Sequence, residues 1–297
     1  MSQIKAFLTS RKIAPFVFLA PYLILFSVFK VWPVIQAVKI SFTRFQGLQN
    51  QTWIGLQNYE ALLSNPRFSM ALRNTTIYTV GTLLVLIPLP LILAVLLNSG
   101  RVVKGTVFRI VLFLPALTSL VVVGSVFRLL LGRDGFLNSA LGLFGVEPLR
   151  WLEVAGLTLP SLILLAVWRW TGINIMYFNA GLVNISKELY EAAAIDGANA
   201  RQIFWRITLP LLKPTTLFVV IISIIGGFQV FVEPFILFVN GESPGNSALT
   251  IAVLIYRTAF LSFQFGPAAA MGVILAIIIF ILSLLQFRYF GAFKKEA

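Results

Sequence analysis

Residues 186–214 read SKELYEAAAIDGANARQIFWRITLPLLKP and separate two long apolar segments. Ser186 stands where a helix N-cap is wanted, and Glu188 follows in the first turn, where the helix dipole favours an acid. Leu189, Tyr190 and the alanines Ala192, Ala193 and Ala194 are good or acceptable helix formers. Asp196-Gly197 ends this short helix, with Gly197 suited to the positive φ of a C′ position. Asn199 then caps a second helix, and Gln202 three residues on resembles the far half of a capping box. Pro210 and Pro214 mark entry into the next apolar segment. The pattern predicts helix, glycine turn, helix. Its centre offers little apolar surface to bury in lipid. Small residues instead let another backbone come close, while Glu191 and Asp196 stay available for polar contacts. Docking of a partner is therefore favoured over an amphipathic hairpin lying on a membrane.

The rest of the composition says where such a loop would be. Of 297 residues, 59% are hydrophobic and 11% are charged, against about 25% charged in ordinary soluble domains. A soluble core cannot hide that much apolar surface, so lipid is the solvent the composition points to. There is no cysteine and no histidine, which removes thiolate chemistry and the commonest metal ligand and general base. The net charge of +13 fits basic loops at a membrane better than nucleic-acid binding in a chain this apolar.

Six apolar segments are long enough to span, near 13–36, 75–97, 109–131, 157–181, 214–239 and 267–290, a span needing about 20 residues. Pro88, Pro90, Pro115, Gly226 and Gly227 interrupt them, which is tolerated where neighbouring helices cover the freed backbone. The prediction is an all-α membrane bundle with a single transmembrane domain over 1–297. Even span number puts both termini on one side. That side carries Lys5, Arg11, Lys12, Arg101, Lys104, Lys187, Arg201, Arg206, Lys213, Lys294 and Lys295, and the positive-inside rule makes it cytoplasmic. The loop 182–213 is then the longest cytoplasmic loop. The first segment continues into KVWPVIQAVK with no small-residue cleavage site, so it is read as an uncleaved span rather than a signal peptide.

The whole stretch EAAAIDGANARQIFWRITLPLLKP resembles the EAA loop of binding-protein-dependent ABC transporter permeases. Glu191, Ala192, Ala193, Gly197, Ile207, Leu209 and Pro210 match that pattern, and Asp196-Gly197-Ala198 is the version of the carbohydrate-uptake branch. Further segments are similar to that branch: PYLILFSVFKVWPVIQAVKISFTRF to its first span, WIGLQNYEALLSNPRFSMALRNTTIYTV to its first outer loop, LFLPALTSLVVVGSVFRLLLGRDGFLNSALG to its third span and VWRWTGINIMYFNAGL to its fourth. The pattern suits the partner that resembles the first permease subunit of maltose- and glycerol-phosphate-type importers. Two features depart from it. The loop before the last span reads NGESPGNSALT where relatives often show Gly-Gly-Pro, which clouds any carry-over of a binding-protein surface. No long insertion follows span two or three.

The resemblance implies a type I ABC importer permease fold with six transmembrane helices, in the cytoplasmic (inner) membrane of a bacterium or archaeon. It implies a second homologous permease, two ATPase subunits and an extracytoplasmic solute-binding protein as partners. Glu191, Ala192, Ala193, Asp196, Gly197 and Ala198 would form the coupling helix seated on the ATPase. The chain has no G-x-x-x-x-G-K-[ST] loop to cradle phosphates, so ATP and magnesium are expected on the ATPase and no cofactor, metal or catalytic residue on this chain.

For the solute, ionisable residues inside a span are functional candidates by default. Arg169 lies near the middle of span four, about 15 Å from either face by helical rise, beside Trp170 and Asn174. In span five Gln229 and Glu233 share a helix face at i, i+4 spacing. Aromatic and amide side chains suit the ring faces and hydroxyls of a sugar. The competing role for Arg169 is to pair with helix carbonyls and hold the bundle together. Two other classes are weighed. A secondary transporter or channel needs coupling acids, yet Glu233 is almost alone in the spans and the EAA loop would go unexplained. A membrane enzyme is disfavoured by the missing histidine and cysteine and the lack of paired intramembrane carboxylates.

Overall fold

The computed structural model describes residues 14–47, 51–99 and 104–289. Lys5, Arg11, Lys12, Arg101, Lys294 and Lys295 of the orientation argument lie outside the described residues, as do positions 13 and 290 of the first and last predicted spans.

The elements, in chain order, are almost all helical. Helix α1 (Ala14–Phe26) runs through a π-type turn (Ser27–Val31) into α2 (Trp32–Ser41). Two short strands, β1 (Thr43–Arg44) and β2 (Thr52–Trp53), precede α3 (Gln57–Leu63). Then come α4 (Pro66–Leu86), α5 (Pro88–Asn98), α6 (Gly105–Leu117), α7 (Leu120–Leu130), α8 (Phe136–Gly142) and the long α9 (Ala155–Val183). Helix α10 (Lys187–Ile195) is followed by α11 (Ala200–Ile203), which continues through a second π-type turn (Phe204–Thr208) into α12 (Leu209–Leu211). Helices α13 (Lys213–Phe228) and α14 (Val232–Leu237) lead to two 3-10 turns (Val239–Gly241, Pro244–Asn246). Helix α15 (Ile251–Tyr256), a third π-type turn (Arg257–Leu261) and α16 (Phe265–Tyr289) complete the chain.

Four helical stretches are long and apolar enough to cross a membrane, and six are if each of two bent pairs is one span. The pairs are α6 with α7, bent by 100°, and Ala200–Leu211 with α13, bent by 64°. Two predicted spans need revision. The helix that carries the second starts at Pro66, ahead of the apolar segment at 75, because Asn65 caps it by accepting from Arg67 N at 2.9 Å and Pro66 sits in the first turn. The fifth, 214–239, is not one helix: α13 stops at Phe228 and α14 starts only at Val232.

The described residues fall into two compact units. The first holds the segments up to Ser64 and Ile255–Ile274. None of the apolar window of Pro15–Ser41 is buried, so Phe16, Phe18, Phe29 and Trp32 face outward, a surface that only lipid or another apolar chain would cover. After it, β1 and β2 pair antiparallel with Thr43 opposite Trp53. Phe42 stacks on Trp53 with ring centroids 5.5 Å apart, and Asn58 ties the ribbon to α3 by donating to Ser41 O and Thr43 O at 2.8 and 2.9 Å.

The second unit holds Asn65–Leu254 and the residues from 275 onward. Helix α9 is its centre and packs against α4, α5, α6, α13 and α14. Small residues permit the contacts, as is usual between membrane helices. At Gly172 a Cβ would collide with the Leu112 carbonyl of α6, so two backbones touch there. One apolar cluster gathers Tyr78, Val123, Phe127, Leu162, Leu165, Val230 and Leu237, and another gathers Leu91, Ala94, Ile175, Phe178, Leu212 and Val219. They lie along opposite halves of α9. The loop after α14 folds back onto the middle of α4. Asn74 donates to Asn246 O and Leu249 O at 2.9 and 3.1 Å, and Ile251 N donates to the Thr75 hydroxyl at 3.0 Å.

Candidate functional site

The interrupted helices of this second unit converge, and their freed backbone groups are met by named side chains. Pro90 has no N–H, so Leu86 O, four residues back, loses its helical donor. Asn174 on α9 replaces that donor at 3.2 Å. The last turn of α6 leaves carbonyls open where the chain bends into α7. Arg169, one turn before Gly172 on α9, donates to Thr118 O at 2.8 Å, Pro115 O at 3.3 Å and Ala116 O at 3.5 Å. At the third break, Thr250 donates to Val230 O at 2.9 Å. Irregular backbone at membrane depth is thus sealed on the protein side.

Between these breaks lies a cavity of about 350 Å³. Helix α4 contributes Tyr78 and Thr82, α7 Leu120, α9 Trp170, Asn174 and Tyr177, α13 Ser223 and Gly226, and the 229–233 break Gln229, Phe231 and Glu233. Aromatic rings and amides therefore face one space. Glu233 is buried, interacts with the Trp170 indole and feels the charge of Arg169. Arg169 stands behind Trp170, its guanidinium carbon 5.3 Å from the ring centroid. Trp168, two residues away, turns to the other side of α9 and packs on Phe127 at 5.3 Å.

Of the residues singled out for the solute pathway, Trp170, Asn174, Gln229 and Glu233 line this cavity and Arg169 does not. Arg169 occupies the competing role: its two terminal nitrogens are spent on carbonyls at the end of α6, and its Nε is buried without a hydrogen-bond partner among the described residues. Gln229 and Glu233 come together by a route other than helical spacing. They do not share a helix face at i, i+4, because α13 ends between them, with Gln229 at its C-cap and Phe231 at φ −130°. The break itself folds both into the cavity. Tyr78, Tyr177 and Ser223 were not singled out from the sequence. For Tyr78 a signal existed: Thr75, Thr79 and Thr82 recur at helical spacing around it and mark a polar stripe in an apolar span.

The loop 182–213 begins where α9 ends. Ser186 accepts from Glu188 N at 3.2 Å. Gly197 has φ +76°. Gly197 N bonds Ala194 O at 3.1 Å and Ala198 N bonds Ala193 O at 2.9 Å, the paired bonds of a Schellman ending. Asn199 and Gln202 exchange both bonds of a capping box, at 2.8 and 2.9 Å. Tyr190 OH lies 3.3 Å from Thr208 Oγ1 and ties α10 to the second arm. Among the residues named for coupling, Glu191, Ala192, Asp196 and Gly197 are exposed, Ala198 is half-buried and Ala193 is buried. Ala193 thus faces the hairpin rather than an incoming surface. Ile195, 87% exposed, and Trp205, 58% exposed, present apolar groups beside them that the sequence reading passed over.

Three comparisons bear on this arrangement. The family described as "Binding-protein-dependent transport system inner membrane component" matches residues 86–291. The chain is 45% identical over 296 residues to the arabinooligosaccharides transport system permease protein AraP of Halalkalibacterium halodurans, covering 99% of this chain and 93% of that one. It is 35% identical to the lactose transport system permease protein LacF of Rhizobium radiobacter over 91% of both chains. It is 33% identical to the sn-glycerol-3-phosphate transport system permease protein UgpA of Brucella abortus, over 94% of this chain and 95% of that one. Among solved structures it is similar to a chain of a bacterial ABC transporter involved in import of the acidic polysaccharide alginate. There the TM-score is 0.84 at 25% identity, over 96% of this chain and 97% of the other.

Proposed function

This chain belongs to the family of binding-protein-dependent inner-membrane transport components and is a permease subunit of an ABC importer; from that premise we propose that its cavity forms one half of the translocation pathway for a carbohydrate. The observation that carries this reading is the cavity itself. Two amides, one carboxyl and several aromatic rings converge between broken helices, and these are the groups that recognise hydroxyls and sugar ring faces. Two relatives named for the transport of arabinooligosaccharides and of lactose support a sugar.

A second, similar permease supplies the other half of the pathway, and a solute-binding protein delivers substrate. Two ATPase subunits, which hold ATP and magnesium, seat on the α10–Gly197–α11 hairpin. The hairpin follows α9 directly, and α9 lines the cavity from Ala166 to Tyr177. A displacement of α10 is thereby carried along one helix to the solute. Such a displacement shifts the balance of inward- and outward-open states only if the ATPase binds one of them better.

Gln229 is the exposed amide of the cavity and tests this reading. In the reconstituted complex with its ATPase and binding protein, Gln229→Ala is expected to raise KM for uptake about three- to tenfold, the worth of one neutral hydrogen bond, with assembly unchanged. Unaltered uptake kinetics would remove Gln229 from the pathway. Uptake that persists without the ATPase would refute an ATP-driven permease.

A further inference from the structure

The charges around the cavity are arranged unevenly. Its lining contains one carboxyl, Glu233, and no lysine or arginine. Arg169 is the cation beside it, but none of its donors is offered to a solute. Both terminal nitrogens are bonded to the carbonyls of Pro115, Ala116 and Thr118, and Nε is buried. The Trp170 ring stands against the guanidinium. One side-chain N–H of Asn174 is likewise engaged, on Leu86 O. What remains for a solute is one carboxyl, several hydroxyls and neutral amide N–H, with no cation: Glu233, Gln229, Ser223, Thr82, Tyr78 and Tyr177.

A carboxylate or phosphate moved from water into such a space loses its hydration and must find a cation or several N–H donors in exchange. It would meet the Glu233 carboxyl instead, while the Arg169 guanidinium stands behind the Trp170 ring with its terminal nitrogens already bonded. A neutral saccharide has no such demand: its hydroxyls donate to the acceptors, and its C–H faces rest on Trp170, Tyr177 and Phe231. Resting on the reading of this cavity as the solute site, we propose that it selects neutral saccharides over anionic solutes, with Glu233 as the residue that sets the selection. Arg169 then has a second consequence. Its charge offsets that of Glu233, so removing the carboxyl leaves an uncompensated cation behind Trp170 and tilts the cavity toward anions.

The test is direct binding to the purified complex of both permeases and ATPases, without binding protein, so that delivery does not filter the solute. Tryptophan fluorescence is titrated with arabinobiose, lactose and maltose, and separately with digalacturonate and glycerol 3-phosphate; Trp170→Phe identifies the signal from the cavity. At least one neutral disaccharide is expected to change the Trp170 signal. Digalacturonate and glycerol 3-phosphate are expected to need about a hundredfold higher concentration, as like-charge juxtaposition implies. In Glu233→Gln that ratio is expected to shrink to about tenfold or less. Comparable binding of digalacturonate and the best neutral sugar by the unaltered complex would overturn the selectivity and leave the cavity as the solute site. An undiminished ratio in Glu233→Gln would overturn the role of Glu233. A Trp170 signal unmoved by either class would overturn the cavity reading and the selectivity with it.

Discussion

Replacing Gly197 with tryptophan is expected to leave the permease inserted and assembled while nearly abolishing uptake. Gly197 sits at φ +76°, where any side chain costs about 1–2 kcal/mol through its Cβ. That strain is local and bearable, because a Cβ added there meets nothing within 4 Å. The Schellman bonds on either side involve backbone groups alone and survive. The indole therefore projects outward, beside Glu191, Asp196 and Ile195, into the surface proposed to receive the ATPase. A truncated or blocked central contact of an interface weakens docking by about thirtyfold or more, and uptake is expected to fall at least that far while ATP hydrolysis loses its dependence on solute. Gly197→Asn separates the two effects. Asparagine tolerates positive φ and adds little bulk, so that variant should keep most uptake. Normal uptake by Gly197→Trp would refute the docking assignment, and equal loss in both variants would assign the effect to backbone strain.

The second large effect is expected at Arg169. Its guanidinium supplies the donors that the end of α6 lacks, and it is 7% exposed. Arg169→Met fills similar space with an apolar chain and takes the donor from the part-buried Ala116 and Thr118 carbonyls, Pro115 O keeping Thr118 N, at about 1–3 kcal/mol for each acceptor that finds no other donor. Thermal unfolding of the purified complex should shift downward by several degrees. Because α7 and the 229–233 break meet in the cavity, solute affinity should fall as well. Arg169→Lys keeps the charge but replaces a planar fork by a point donor. It should restore the electrostatic environment of Glu233 without restoring the α6 terminus, and so recover affinity less than fully. A variant Arg169→Met with unchanged unfolding temperature would show that water or a partner chain satisfies those carbonyls.

The geometry of the hairpin after α9 was legible residue by residue. Ser186, Gly197, Asn199 and Gln202 act on backbone groups two to five positions away, and such interactions are complete within the local chain. The apolar segments were legible for the same reason, since length and composition alone make a span. Where Asn65 starts α4 and where α13 stops were misjudged by several residues, because caps and breaks inside an apolar run leave weak marks.

The cavity was only partly legible. Trp170, Asn174, Gln229 and Glu233 were found by being polar or aromatic in an apolar context. That rule could not say which of them a solute would meet. It also brought in Arg169, whose donors go to the carbonyls of α6 three sequence segments away. It passed over Tyr78, since a tyrosine in a span reads as an interface anchor. In a soluble helix the polar face tells inside from outside. In α9 that signal is faint, because lipid and protein core are both apolar and either can receive the same side chain. By itself, then, the sequence determined that this chain spans a membrane and where its helices end in the hairpin around Gly197. Only the tertiary structure decided that Gln229 and Glu233 meet across a broken helix, that Arg169 turns away, and that the space between them holds a carboxyl and no available cation. Those outcomes depend on which backbones touch, as at Gly172 and Leu112, and no short-range pattern encodes contact between segments so far apart in the chain.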